Sequence, residues 1–128
     1  MTTLLLVDDE PLVRQGLRMW LERVADTTVL EEASTGAEAV ALAQALHPDV
    51  VLMDISMATA DGIAATAALR ASVPHCAVVL LSLHDDPITR ARAQAAGAAS
   101  LVGKQEGVQA LLGAIREVGE RGRALPRS

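Results

Sequence analysis

A strand pattern and a helix pattern alternate along this chain without a break, and that alternation leaves few folds open. Leu4–Val7, Val50–Met53 and Ala77–Leu81 are short, continuous apolar runs, as expected of strands buried on both faces. Thr28–Ala33 has mixed polarity, which suits an edge strand, and Ser100–Val102 is a short fifth candidate. Between them lie helical patterns. Pro11 opens the first, with Val13, Leu17, Trp20, Leu21 and Val24 on one face. Thr35 with Glu38 is a capping-box signature before a helix carrying Ala39, Leu42 and Leu46, which stops ahead of Pro48. Asp61-Gly62 reads as a turn leading into an Ala-rich helix with Ile63 and Leu69, closed by Pro74. Asp86 and Pro87 suit the N-cap and first position of a fourth helix, with Gly97 past its end. Val108, Leu111, Leu112, Ile115 and Val118 form the clearest amphipathic stripe. Five strand–helix units in alternation predict an α/β three-layer sandwich, a doubly wound parallel five-stranded sheet with helices on both faces. Of the common strand orders, five strands suit the flavodoxin-like 2-1-3-4-5.

At 128 residues the chain is one domain's worth, long enough to bury a core without a staple. Residues 1–120 carry the pattern. Arg121–Ser128, with Gly122 and Pro126 and no apolar period, reads as the start of a linker. The longest strongly apolar stretch, Cys76–Leu81, is far short of the ~20 residues of a membrane span, so a soluble protein with no membrane role is expected. Met1 precedes a polar pair and a strand-like run, with no basic-then-apolar secretory signal. A single cysteine, Cys76, fits a reducing cytoplasm and a packing role. The formal charge of −5 and the lack of a basic stripe argue against direct nucleic-acid binding by this chain. Trp20 is the sole aromatic residue, which disfavours stacking recognition. Of 11 basic residues ten are Arg, and the one Lys is Lys104.

In parallel doubly wound sheets, function gathers at the carboxyl ends of the strands. Those ends supply Asp8 and Asp9 after the first strand, Asp54 after the third, Ser82 after the fourth and Lys104 after the fifth. Three carboxylates brought close together repel and raise one another's pKa unless a cation sits among them. All-oxygen ligation with room for water favours Mg²⁺ or Mn²⁺ over zinc. Lys104 and the Ser82 hydroxyl are suited to phosphoryl oxygens, and the set is that needed for phosphoryl transfer to a carboxylate. Asp54 is the candidate nucleophile because it stands alone at the end of a central strand. Adjacent Asp8 and Asp9 are placed as metal-binding acids. Each residue has a plainer use when taken singly: Asp-Asp-Glu complements a helix dipole, and Ser82 can close a turn. Their convergence on strand ends is what points to chemistry.

These residues stand in motifs that resemble the receiver domain of bacterial two-component response regulators. The likeness runs from Leu4–Pro11 (LLLVDDEP) through Pro48–Asp54 (PDVVLMD) to Leu80–Asp86 (LLSLHDD), then Ala96–Ala98 (AGA), Lys104 and the last amphipathic helix. The wording is most similar to NarL/FixJ-type receivers, which precede a helix-turn-helix DNA-binding domain. The resemblance implies that Asp54 accepts a phosphoryl group from a sensor histidine kinase. It implies Mg²⁺ bound directly by Asp9, largely through water by Asp8, and also by Asp54 and the backbone carbonyl of Ser56. Ser82 and Lys104 would hold the phosphoryl oxygens. The fourth helix, fifth strand and fifth helix would form the face for an effector domain or a second receiver. Transcription would then be controlled through a missing C-terminal DNA-binding domain.

The sequence departs from the family's habits at Met57-Ala58, where Met-Pro is usual, at Gln105, where Pro is frequent, and at Leu101, where an aromatic side chain usually reports activation. None of these removes a catalytic atom. His84, two residues past Ser82, reads as a solvated loop residue, with gating of attacking water as the alternative. A stand-alone signalling or interaction module is the alternative function, and a phosphorylation-independent pseudo-receiver is opposed by the intact acids, Ser82 and Lys104. A Mg²⁺-dependent phosphatase is opposed by Ser56, which stands where a second Asp would serve as general acid. The expected protein is therefore a phosphoacceptor switch that assists its own phosphorylation and dephosphorylation.

Overall fold

The computed structural model describes residues 1–55, 61–83 and 86–124. Its elements are β1 (Thr2–Val7), α1 (Pro11–Glu22), β2 (Thr27–Ala33), α2 (Gly36–Leu46), β3 (Val50–Asp54), α3 (Asp61–Ser72), β4 (Ala77–Ser82), α4 (Pro87–Ala96), β5 (Ser100–Gly103) and α5 (Val108–Ala124). A 3₁₀ turn, Lys104–Glu106, joins β5 to α5. The strands form one parallel sheet in the order β2-β1-β3-β4-β5, as the alternation predicts.

Period-two alternation along the central strands divides the core in two. Leu5, Val7, Val51, Met53, Val78, Leu80 and Leu101 pack with Ala39 and Ala43 of α2, Ala65 and Leu69 of α3, and Ala93 of α4. Leu4, Leu6, Val50, Leu52, Val79, Leu81 and Val102 pack with Leu21 of α1 and Leu111, Ile115 and Val118 of α5. Small alanine faces let the first set of helices sit close to the sheet. Larger leucine and isoleucine side chains fill the second interface. Burying each central leucine stabilises the fold by about 2 kcal/mol, which makes this sheet a rigid frame for its carboxyl edge. The mixed polarity of β2 matches its edge position, and its pairing with β1 shifts register between Leu4 and Leu5.

Several local details differ from expectation for identifiable reasons. α1 ends at Glu22, and Val24 lies beyond it in a turn where its amide donates to Leu21 O. Thr35 Oγ1 accepts from the Glu38 amide as in a capping box, but the Glu38 carboxylate turns to the amide and hydroxyl of Ser34, one residue upstream. Asp61-Gly62 is not a turn before α3 but its first two residues. A Cβ at position 62 would lie 2.9 Å from Ile55 Cα, so glycine serves close approach of α3 to the end of β3. Val108 is 49% exposed, outside the core that the rest of its stripe enters. Asp86 caps α4 through the Thr89 amide, and Gly97 ends it at φ 99°, both as expected. α5 continues to Ala124, so helical backbone extends into the stretch expected to be linker from Arg121.

Candidate functional site

The strand register builds one edge of chemistry. Val7 pairs with Met53, so Asp8 and Asp54 emerge side by side from adjacent strands. Asp54 pairs with Leu81, and Ser82 follows. Ser82 pairs with Gly103, and Lys104 follows. The sheet thus aligns four of the six residues picked out in the sequence. Asp8, Asp54 and Ser82 are buried, at 2%, 6% and 3% exposure, whereas Asp9 in the turn after β1 is exposed. Ser56, expected to offer a backbone carbonyl, lies outside the described residues, as do Met57, Ala58 and His84.

Lys104 reaches across β4 to Asp54, with Nζ 2.5 Å from Oδ2. Its first position in the 3₁₀ turn sets this reach, and that turn is closed by the Gly103 amide donating to Glu106 Oε2 at 2.6 Å. Asp8 Oδ1 accepts from the Glu10 amide at 2.9 Å, which ties the carboxylate to the entry of α1. Among the described residues, Asp8 Oδ2 is buried and has no hydrogen-bond partner. Burial pushes the Asp8 carboxyl above its ordinary pKa. The Glu10 amide and Lys104 pull the other way, and the neighbouring Asp54 carboxylate adds to the rise.

Among the described residues no three acids already stand together as a cage for a metal ion. The expected convergence of Asp8, Asp9 and Asp54 is met by Asp8 and Asp54, while half-buried Lys104 rather than a third acid stands against them. The fit to a divalent cation rests on the Asp8 Oδ2 atom. A buried carboxylate oxygen without a donor, beside a second carboxylate, is a costly arrangement that a hard cation relieves. Oxygen-only donors here suit Mg²⁺ or Mn²⁺.

Sequence reasoning passed over Arg14, Arg18 and Glu32. Arg14 Nε lies 2.9 Å from Glu32 Oε1 and Arg18 Nη1 lies 2.6 Å from Glu32 Oε2, so β2 is clamped to α1 beside the acids. The two arginines hold the Glu32 carboxyl below its usual range, Arg18 most strongly. The one available signal was two arginines one helical turn apart on α1; Glu32, beside exposed Glu31 in a strand of mixed polarity, gave none. On the other side of Lys104, Val13, Leu17, Val108 and Leu111 line an open apolar groove of about 300 Å³ between α1 and α5.

Residues 4–116 match the response regulator receiver domain. Among curated proteins, the response regulator UvrY of Escherichia coli is 39% identical over 92% of this chain and 54% of its own length. The chain thus spans about half the length of that relative. Among solved structures, a LuxR-family two-component response regulator from Aurantimonas sp. superposes with a TM-score of 0.88 at 31% identity, covering 94% of this chain and 86% of that one. The signal receiver domain assigned to NarL of Mycobacterium tuberculosis superposes at 0.81 with 31% identity, covering 97% and 98% of the two chains.

Proposed function

Because this chain belongs to the response regulator receiver domain family, we propose that it is a phosphorylation-controlled switch whose Asp54 accepts a phosphoryl group from a sensor histidine kinase. One observation carries the reading: the only lysine of the chain is ion-paired with a buried aspartate at the end of a central strand. An Asp54 oxygen attacks phosphorus in line. The O–P bond forms as the P–N bond to the kinase imidazole breaks, and the bonding pair returns to the imidazole nitrogen. Lys104 transfers its ion pair from the carboxylate to a phosphoryl oxygen, and the Ser82 hydroxyl donates to another. Asp8, Asp9 and Asp54, with the Ser56 carbonyl, would hold Mg²⁺, for which Mn²⁺ could substitute. When bound, the ion neutralises charge on the phosphoryl oxygens. The apolar groove between α1 and α5 gives a kinase an anchoring surface beside the nucleophile.

In this reading the chain turns over no small substrate; it assists only its own phosphorylation and dephosphorylation. Its relatives' greater length supports a separate effector; in this reading residues 1–120 are the receiver unit and the face made by α4, β5 and α5 is its contact with that effector or with a second receiver. We read that effector as DNA-binding and the setting as cytoplasmic, and the likeness to the transcriptional regulatory protein LnrK of Bacillus subtilis supports a role in transcription control. The chain's own charge of −5 leaves DNA contact to that effector.

Acetyl phosphate with Mg²⁺ tests the chemistry. Intact-mass measurement should find one added phosphoryl group on the parent, none on Asp54→Asn, and none with the divalent ion chelated. Equal labelling of Asp54→Asn would remove Asp54 from this role.

A further inference from the structure

Asp8 is gripped at three points that leave one of its oxygens bare. Its amide donates to Ala33 O at 3.1 Å, its carbonyl accepts from Arg14 Nη1 at 2.7 Å, and its Oδ1 accepts from the Glu10 amide at 2.9 Å. Two of those grips come through β2. Ala33 holds the amide directly, and Glu32, the residue before it, holds the carbonyl through Arg14, whose Nε it binds at 2.9 Å. Arg18 Nη1 binds the second Glu32 oxygen at 2.6 Å, so the glutamate cannot swing away without breaking two ion pairs. The Arg14 and Glu32 side chains are only 20% and 24% exposed, which limits solvent screening of the link. With the peptide on both sides of the Asp8 Cα pinned, Oδ2 remains buried next to Asp54 and unpartnered among the described residues.

We infer that Arg14 is a positioning residue for the divalent-cation site, aiming Asp8 Oδ2 through its bridge from the Asp8 carbonyl to Glu32. The inference rests on the reading of Asp8 as a metal ligand. It makes the edge strand β2 a support of the site: orientation passes from Glu32 through a guanidinium to a ligand's backbone. Supporting groups of this kind commonly set metal affinity by tenfold or more.

Charge alone makes the opposite prediction, which gives the test its sign. Arg14 is a cation near a cation site, so deleting its charge should tighten Mg²⁺ binding if electrostatics were its only influence. Calorimetric Mg²⁺ titration of the parent, Arg14→Met, Arg14→Lys and Glu32→Gln decides the matter, with melting temperatures recorded alongside. The inference expects Mg²⁺ affinity to fall about tenfold in Arg14→Met. Arg14→Lys should recover part of the loss, because an ammonium replaces one of the two contacts, and Glu32→Gln should weaken binding although Arg14 is intact. Amide NMR signals of Asp9 and Glu10 should move in the metal-free Arg14→Met protein. Tighter or unchanged Mg²⁺ binding in Arg14→Met, with a lowered melting temperature, makes Arg14 a structural clamp and overturns the inference. Should Arg14→Met not fold, unchanged affinity in both Glu32→Gln and Arg14→Lys overturns it equally. Absence of saturable Mg²⁺ binding by the parent would instead remove the metal reading itself.

Discussion

Lys104 Nζ and Asp54 Oδ2 lie 2.5 Å apart although 50 residues separate them in the chain. The sheet alone brings them together, since β4 stands between their strands. The ion pair offsets the cost of keeping Asp54 at 6% exposure next to Asp8, itself buried. Its ammonium is therefore a counter-charge in the unphosphorylated protein before it serves any phosphoryl oxygen.

Lys104→Met should destabilise the metal-free protein by about 2 kcal/mol, below the usual cost of breaking a fully buried pair because the lysine keeps some solvent contact. In an Asp54→Asn background the same substitution should cost much less, because the charge it strands is gone. Urea unfolding of the four proteins in a chelator gives this double-mutant cycle. Equal losses in both backgrounds would mean that Lys104 stabilises through its aliphatic stem alone.

Asp8→Asn should raise stability at neutral pH without divalent ions and remove the stability gained on adding Mg²⁺. The native Asp8 carboxyl titrates above its ordinary range because it is buried, with Asp54 adding to the effect. A group raised in the folded state contributes stability at low pH that is lost as pH rises through its folded pKa, so toward neutral pH the carboxyl is a burden on the fold. Asparagine removes that burden together with the anionic ligand. Asp9→Ala should also abolish the Mg²⁺ gain. Melting scans with chelator and with Mg²⁺ check all three proteins, and an undiminished Mg²⁺ response in both variants would place the ion elsewhere.

Cys76 should resist thiol reagents until the protein unfolds. It is fully buried, and burial pushes its thiol from 9.0 to about 12, so the native thiolate is scarce at any ordinary pH. Its contribution to stability is complete below pH 9.0 and declines as pH climbs toward 12, because only the unfolded thiol ionises in that window. Labelling by a disulfide reagent at pH 8 should track unfolding, rising with urea. Fast labelling of the native protein would contradict the burial.

The parts of this architecture legible in the sequence are those where one physical demand dominates. Val50–Met53 must be apolar throughout because β3 is covered on both faces, so the strand and its end at Asp54 can be read directly. Asp86, Pro87 and Gly97 are equally plain because capping is local. Gly62 misleads for the opposite reason. Its role is close contact with Ile55 rather than a turn, and nothing within a few residues records that contact. Arg14 and Glu32 were invisible for a related cause: 18 residues apart, they look like ordinary surface charges until β2 is laid against β1. Val108 fits the helical period of α5 yet stays exposed, because the period fixes a direction and not the distance to the sheet.

Leu101 gives the last prediction, concerning how the switch is read. It is 8% exposed on β5, opposite Leu80, and packs in the core layer that includes Ala93 of α4. A leucine there has no polar tip with which to choose between a buried and an exposed partner, so its rotamers differ in energy mainly through packing. Moving it outward would empty core volume and cost about 2 kcal/mol or more, without a compensating hydrogen bond. Ser82 meets a lower barrier, since a hydroxyl needs only a rotamer change and a shift in the chain between β4 and α4. That chain includes Leu83, which is 58% exposed, and it ends at the Asp86 cap of α4. Activation should therefore move backbone signals of Ser82, Leu83, Asp86 and the first turn of α4 more than the methyl signals of Leu101. NMR spectra of the free protein and of the protein with Mg²⁺ and beryllofluoride make the comparison. A rotamer flip at Leu101 with the Ser82 segment unmoved would show that the core of α4 and β5, and not the chain leaving β4, carries the signal outward.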